Sequence, residues 1–213
     1  MLKLRGLLVA LAVVTANAGA ADLFNGRDFA GWELVTTPAA SMADVFTVRP
    51  DGVIASTGKP AGFIATVASY RNYRLHVEWR WSGKPGNAGV LLHISPGPMD
   101  RVWPLSLQVQ TKRGNAGDLL PMAGASFAEP LTSAAGAPVA IKARMAADSE
   151  NPPGEWNSCD IVARDGAVEV RINGVVQNTA SKVEPSFGRI GFQLEGAAYE
   201  LRRVTLEPLA PPD

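Results

Sequence analysis

The chain has 213 residues, with 20 Lys and Arg against 20 Asp and Glu, 2 His and 1 Cys. This balance offers nucleic acid and anionic membranes no electrostatic attraction. A lone cysteine excludes an internal disulfide, and two histidines far apart exclude a histidine-rich zinc centre.

The first twenty residues read as an export leader. Lys3 and Arg5 supply a basic start, residues 7–14 an apolar run, and Ala18-Gly19-Ala20 a small-residue cleavage site, with the cut expected before Ala21. The apolar run is far short of the roughly 20 residues that cross a bilayer. The expectation is a soluble periplasmic or secreted protein with one domain over 21–213. Setting Lys3 and Arg5 aside leaves 18 basic against 20 acidic residues.

Beyond the leader, a period of two dominates. Tyr73, Leu75, Val77, Trp79 and Trp81 alternate with Arg74, His76, Glu78 and Arg80, which is the pattern of a strand with one buried face. Further strands are expected over 46–48, 53–56, 89–94, 106–111, 156–164, 189–194 and 199–208. Val168, Val170 and Ile172 alternate up to Asn173-Gly174, a dipeptide that favours a type I′ hairpin turn into Val175. No helical spacing persists over three turns. Short strands punctuated by Gly and Pro predict an all-β, two-sheet antiparallel sandwich. Residues 112–154 break the rhythm, being rich in Gly, Ala, Pro and Ser, with order expected only near 119–121 and 139–143. Cys159 lies in an apolar strand, as a small buried hydrophobe would.

Several chemistries lack their motif. There is no G-x-S-x-G elbow, no P-loop and no G-x-G-x-x-G after a strand. What remains is polar residues that alternate with core residues. Glu78 and Arg80 share a strand face, as do Gln108 and Gln110, and Gln193 and Glu195. Most such residues only meet water, and Glu78 with Arg80 could be a solvated ion pair.

Segments along the whole chain carry a resemblance. They are Leu23-Phe24-Asn25-Gly26 through Gly31-Trp32, Gly86-Asn87-Ala88-Gly89, Leu107-Gln108-Val109-Gln110, Gly114 through Asp118, Gly154-Glu155-Trp156-Asn157, and Gly188 through Gly196. From about Asp22 to Leu209 the chain resembles the bacterial 3-keto-disaccharide hydrolase family, with its concanavalin A-like jelly roll. The resemblance implies an oxidised sugar as the ligand, held in a groove on one sheet. It implies no cofactor, and calcium is left open because loop oxygens leave little sequence trace.

The family places an acid and a base at Glu78 and Arg80, and Arg where this chain has His93. It places Glu-x-Gln where this chain has Gln108 and Gln110, an acid at Asp118, and Gln followed by His or Glu at Gln193 and Glu195. The implied reaction uses the acidity of the proton at C2 beside a C3 ketone. Glu78 or Glu195 would be the base, Arg80 and Gln110 would stabilise the enolate oxygen, and His93 would serve as an acid. Gln108 departs from the family's acid and cannot take up a proton. Trp103, in the loop before the Gln108 strand, is the candidate for stacking on a sugar, whereas Trp32 and Trp156 read as packing residues, and Asn25 and Asp28 as turn residues. The alternative is a carbohydrate-binding module of the same fold without turnover.

Overall fold

The computed structural model describes residues 19–210, so nearly all of the leader lies outside the described residues. In chain order the elements are β1 (Ala21–Asp22), β2 (Trp32–Thr37), the short helix α1 (Met42–Val45), β3 (Phe46–Val48), β4 (Ile54–Ser56), β5 (Ala61–Tyr70), β6 (Tyr73–Trp81) and β7 (Gly89–Ile94). There follow β8 (Met99–Asp100), β9 (Trp103–Pro104), β10 (Ser106–Gln110), β11 (Leu119–Met122), β12 (Asn157–Arg164), β13 (Ala167–Ile172), β14 (Val175–Ala180), β15 (Gly188–Leu194) and β16 (Tyr199–Pro208).

Two antiparallel sheets form a jelly-roll sandwich. One runs β14-β13-β12-β6-β16-β4-β3, with β1 beside β16, and the other runs β11-β10-β7-β15-β5-β2. The expected alternation holds on β6, whose Tyr73, Leu75, Val77, Trp79 and Trp81 turn inward. They meet Val90, Leu92, Leu107, Val109, Phe192 and Leu194 from the six-stranded sheet. Each such side chain contributes about 1.5–3 kcal/mol on burial, and together these residues hold the sheets face to face.

Local sequence sets the turns. Asn173 and Gly174 have φ of 50° and 81°, the left-handed pair that a type I′ turn requires. Asn25 Oδ1 accepts from the amides of Arg27 and Asp28, and Asp28 Oδ1 accepts from that of Ala30, so both side chains close the N-terminal turn. Trp32 stacks on Phe24 with ring centroids 4.2 Å apart and donates to the Leu23 carbonyl. Cys159 is fully buried in β12, where desolvation pushes its thiol pKa well up.

The irregular stretch 112–154 is tied down by polar bonds. Leu119 and Lys142 exchange backbone hydrogen bonds. Asn178 Nδ2, buried on β14, donates to the carbonyls of Gly117 and Lys142. Glu150 accepts from the Gly114 amide, and Arg113 donates to the Asn151 carbonyl. This segment therefore stands as a fixed wall beside β11.

Candidate functional site

A groove of about 540 Å³ lies on the outer face of the six-stranded sheet. Its floor follows from strand register. Gln110 on β10 pairs with Gly89 on β7, Gly89 lies level with Gln193 on β15, and Gln193 pairs with Phe63 on β5. Gly89 leaves a gap between two glutamines, and the side chain of Gln108, one pleat along, lies across it. A Cβ at Gly89 would sit 2.7 Å from Gln108 Nε2, so only glycine gives that side chain room.

The amides then connect. Gln108 Nε2 donates to Gln110 Oε1 at 3.2 Å and to Gln193 Oε1 at 3.0 Å. Gln193 Nε2 in turn donates to Glu195 Oε2 at 2.7 Å, and Asn87 Nδ2 donates to the same oxygen at 2.6 Å. Because Gln108 fixes Gln193 as an acceptor on one side, Gln193 must present its NH₂ to Glu195. The departure from the family's acid is thus a donor that orients the carboxylate through a neighbour. Glu195 Oε1 and Gln110 Nε2 have no protein partner among the described residues and both belong to groove-lining side chains. Gln108 Oε1 and Asn87 Oδ1 are buried acceptors without partners among the described residues, a cost of about 1–3 kcal/mol each.

Burial raises the Glu195 pKa above the ordinary glutamate value, against the opposing charges of Arg101 and Lys112 and the hydrogen bonds from Asn87 and Gln193. The side chain stays open at the groove mouth, where solvent screens these charges. Arg101, at the turn of the β8–β9 hairpin, and Lys112, just past β10, place two cations near this carboxylate. Asp118 also lines the groove, but its Oδ1 accepts from the Arg144 amide at 2.7 Å and thereby fixes the wall segment. Trp103 lines the groove too, yet it is 5% exposed and offers an edge of wall rather than an open ring face.

The structure therefore brings together Gln108, Gln110, Gln193, Glu195, Asp118 and Trp103. It does not bring Glu78, Arg80 or His93 to them. Glu78 and Arg80 project from β6 on the outer face of the other sheet, on the far side of the sandwich. Register explains where they go, since Glu78 pairs with Arg202 and Arg80 with Glu200 on β16. Arg202 and Arg203 both hold the Glu78 carboxylate, the latter at 2.8 Å, and Arg80 Nε donates to Glu200 at 2.7 Å. Burial pushes the Glu78 pKa up, but the two arginines outweigh it and hold the carboxyl below its usual range, the reverse of what a base needs. Trp156 lies against the guanidinium groups of Arg80 and Arg202, 4.5 and 4.1 Å from its ring centroid.

His93 is 1% exposed inside the sandwich. Its φ of 56° and a register shift in β7–β15 pairing interrupt the alternation and turn the ring inward. Nδ1 lies 3.0 Å from the Pro185 carbonyl, to which it donates, and Nε2 accepts from Tyr73 Oη at 3.1 Å. Desolvation pushes its pKa down to about 4, so the ring is neutral and holds the 185 turn to the core.

Four further groove residues lie outside the sequence candidates, and three of them carry some signal in the sequence. Lys112 continues the period-two series from Gln108 and Gln110. Asn87 and Asn115 stand inside the glycine-rich turns. Arg101 stands in a loop and carried none.

Solved structures share the sandwich. A Parabacteroides distasonis protein assigned as a glycosyl hydrolase is 25% identical, with a TM-score of 0.65 over 90% of this chain and 94% of that one. A β-glucanase from Bacillus licheniformis is 10% identical, with a TM-score of 0.60 over 90% of this chain and 99% of that one. A carbohydrate-binding module from Bacillus subtilis is 12% identical, with a TM-score of 0.57 over 83% of this chain and 95% of that one. No curated protein matches the chain. Residues 19–207 match the family of 3-keto-alpha-glucoside-1,2-lyase-like domains, and the chain belongs to that family.

Proposed function

We propose that the groove binds a 3-keto-α-glucoside and that Glu195 breaks its glycosidic bond by elimination. The coarser reading, a carbohydrate-related hydrolase or a carbohydrate-binding module, rests on the family and on the neighbouring folds. The observation that carries the enzyme reading is Glu195 itself. It is a groove carboxylate with a raised pKa, one oxygen anchored by two amides and the other free, beside two cations.

In this reading Glu195 Oε1 takes the C2 proton, which the C3 ketone makes acidic. The C–H electron pair passes into the enolate, whose oxygen is stabilised by Gln110 Nε2 and the charges of Lys112 and Arg101. When the enolate re-forms its ketone, the pair moves to C1=C2, the C1–O bond breaks, and the departing oxygen is protonated from water. Addition of water across C1=C2 then gives the free 3-keto sugar. Ordinary glycoside hydrolysis needs a second carboxylate as proton donor; of the other groove acids Asp118 is held by the Arg144 amide and Asp100 lies beside Arg101, while Gln108 stands where the family carries an acid.

The test is leaving-group release from a 3-keto-α-glucoside beside the unoxidised glucoside in heavy water. Release from the keto substrate alone, with deuterium entering at C2, is the expected result. Release of neither, with sugar still bound, would establish the binding-module reading, which the neutral Gln108 favours. We also propose export, on the strength of the leader. Amino-terminal sequencing of the mature protein should begin at Ala21, and an intact Met1 would refute it.

A further inference from the structure

The groove changes character along its length. At one end stand Glu195, Asn87 and Lys112, then the row of Gln193 and Gln110. One pleat on, Gln108 pairs with Leu120, and a further pleat on, Ser106 pairs with Met122. Four residues of strand separate the Gln110 row from the Met122 row, about 13 Å. Over that distance the side of the lining formed by β11 and the wall passes from amides and charges to Leu120, Met122, Ala123, Pro138, Val139 and Ile141, while Asp100 and Arg101 of the β8–β9 hairpin also line the groove.

Two residues of this end also lack a backbone donor. Pro121 and Pro138 have no N–H. The Ile141 carbonyl accepts from the amides of Thr132 and Ser133, and its amide donates to Ser133 Oγ. Val139 is nevertheless 47% exposed and lines the groove, so its apolar side chain is left open by the described residues.

We infer that the leaving group of the substrate is an apolar, ring-bearing aglycone and not a second sugar. The inference rests on the reading of the site as one for a 3-keto-α-glucoside, and it assigns the two ends of the groove. The oxidised ring occupies the amide end, where its oxygens meet Gln110, Gln193 and Lys112. The aglycone lies along Met122 and Val139. A second sugar there would set hydroxyls against the side chains of Met122, Val139 and Ile141, which cannot pair with them, and each buried unpaired hydroxyl lowers affinity roughly tenfold. An aromatic aglycone loses nothing by the same contact and gains the burial of its faces.

Binding and turnover are measured separately so that the two readings fail separately. Dissociation constants of phenyl 3-keto-α-glucoside and 3-keto-trehalose are compared on the Glu195→Gln protein, and then on Glu195→Gln carrying Val139→Asn or Met122→Gln. The phenyl ligand should bind about tenfold more tightly, and either wall substitution should bring that ratio towards one. Val139 is exposed enough for its variant to fold, which a circular-dichroism spectrum checks. Equal affinity, or preference for the disaccharide, overturns the inference. So does a phenyl preference that both wall variants leave intact. If the phenyl preference is present but the wild-type protein releases no phenol, the wall assignment stands and the elimination reading falls.

Discussion

Gly89→Ala is the substitution through which strand geometry reaches the site. The new Cβ would lie 2.7 Å from Gln108 Nε2 and 2.9 Å from its Cδ and Cγ, so Gln108, itself 1% exposed, must leave its place. It then loses its bonds to Gln110 and Gln193, at about 1 kcal/mol each, while alanine returns about 0.5–1 kcal/mol in strand conformational entropy. The net loss is about 1–1.5 kcal/mol. In a Gln108→Ala background the clash is absent, and Gly89→Ala should stabilise by the entropic term alone. The coupling in the double-mutant cycle is therefore about 2 kcal/mol, well above the few tenths expected of independent sites. Urea unfolding of the four proteins measures it. If Gly89→Ala costs the same in both backgrounds, the packing of Gln108 across Gly89 is refuted.

Three other outcomes follow from the electrostatics. His93 has a folded pKa of about 4 against 6.5 unfolded, so the folded state binds fewer protons between those values and stability is lost as pH falls through them. That loss is about 3 kcal/mol, and the stability gap between wild type and His93→Gln should close between pH 6.5 and 4 in denaturation curves; a constant gap contradicts the buried neutral ring. Glu78→Gln should cost about 1 kcal/mol of stability by weakening its bonds to Arg202 and Arg203 and leave turnover within about twofold. A large loss of turnover would return Glu78 to the site. The acid limb of kcat/KM should lie above the ordinary glutamate pKa, activity falling as pH drops and Glu195 is protonated. Lys112→Met removes a charge that lowers this pKa and should move the limb to higher pH; movement the other way contradicts the assignment of Glu195.

The sequence made the sandwich readable because most strands have one wet face. β5 was not legible, since Phe63, Ile64 and Ala65 are buried on both sides and the run does not alternate. Period two also showed that Gln108, Gln110, Gln193 and Glu195 point away from the core. It said the same of Glu78 and Arg80, because alternation records that a residue faces outward and not from which sheet. The pairing of β6 with β12 and β16 separates them, and the β16 pairing spans more than a hundred residues of sequence. His93 was misplaced for a different reason: a single left-handed residue at a bulge reverses the face, and histidine carries no signal for it. Arg101 reaches the groove from a hairpin turn, where no periodicity operates.

Turnover of a 3-keto-α-glucoside by the Glu195→Gln protein tests the central claim most directly. Glutamine keeps the bonds offered by the site at similar size but cannot accept the C2 proton. Turnover should fall on the order of a hundredfold or more, with substrate still bound. A Glu195→Gln protein that releases the leaving group at the wild-type rate would contradict the assignment of Glu195 as the base.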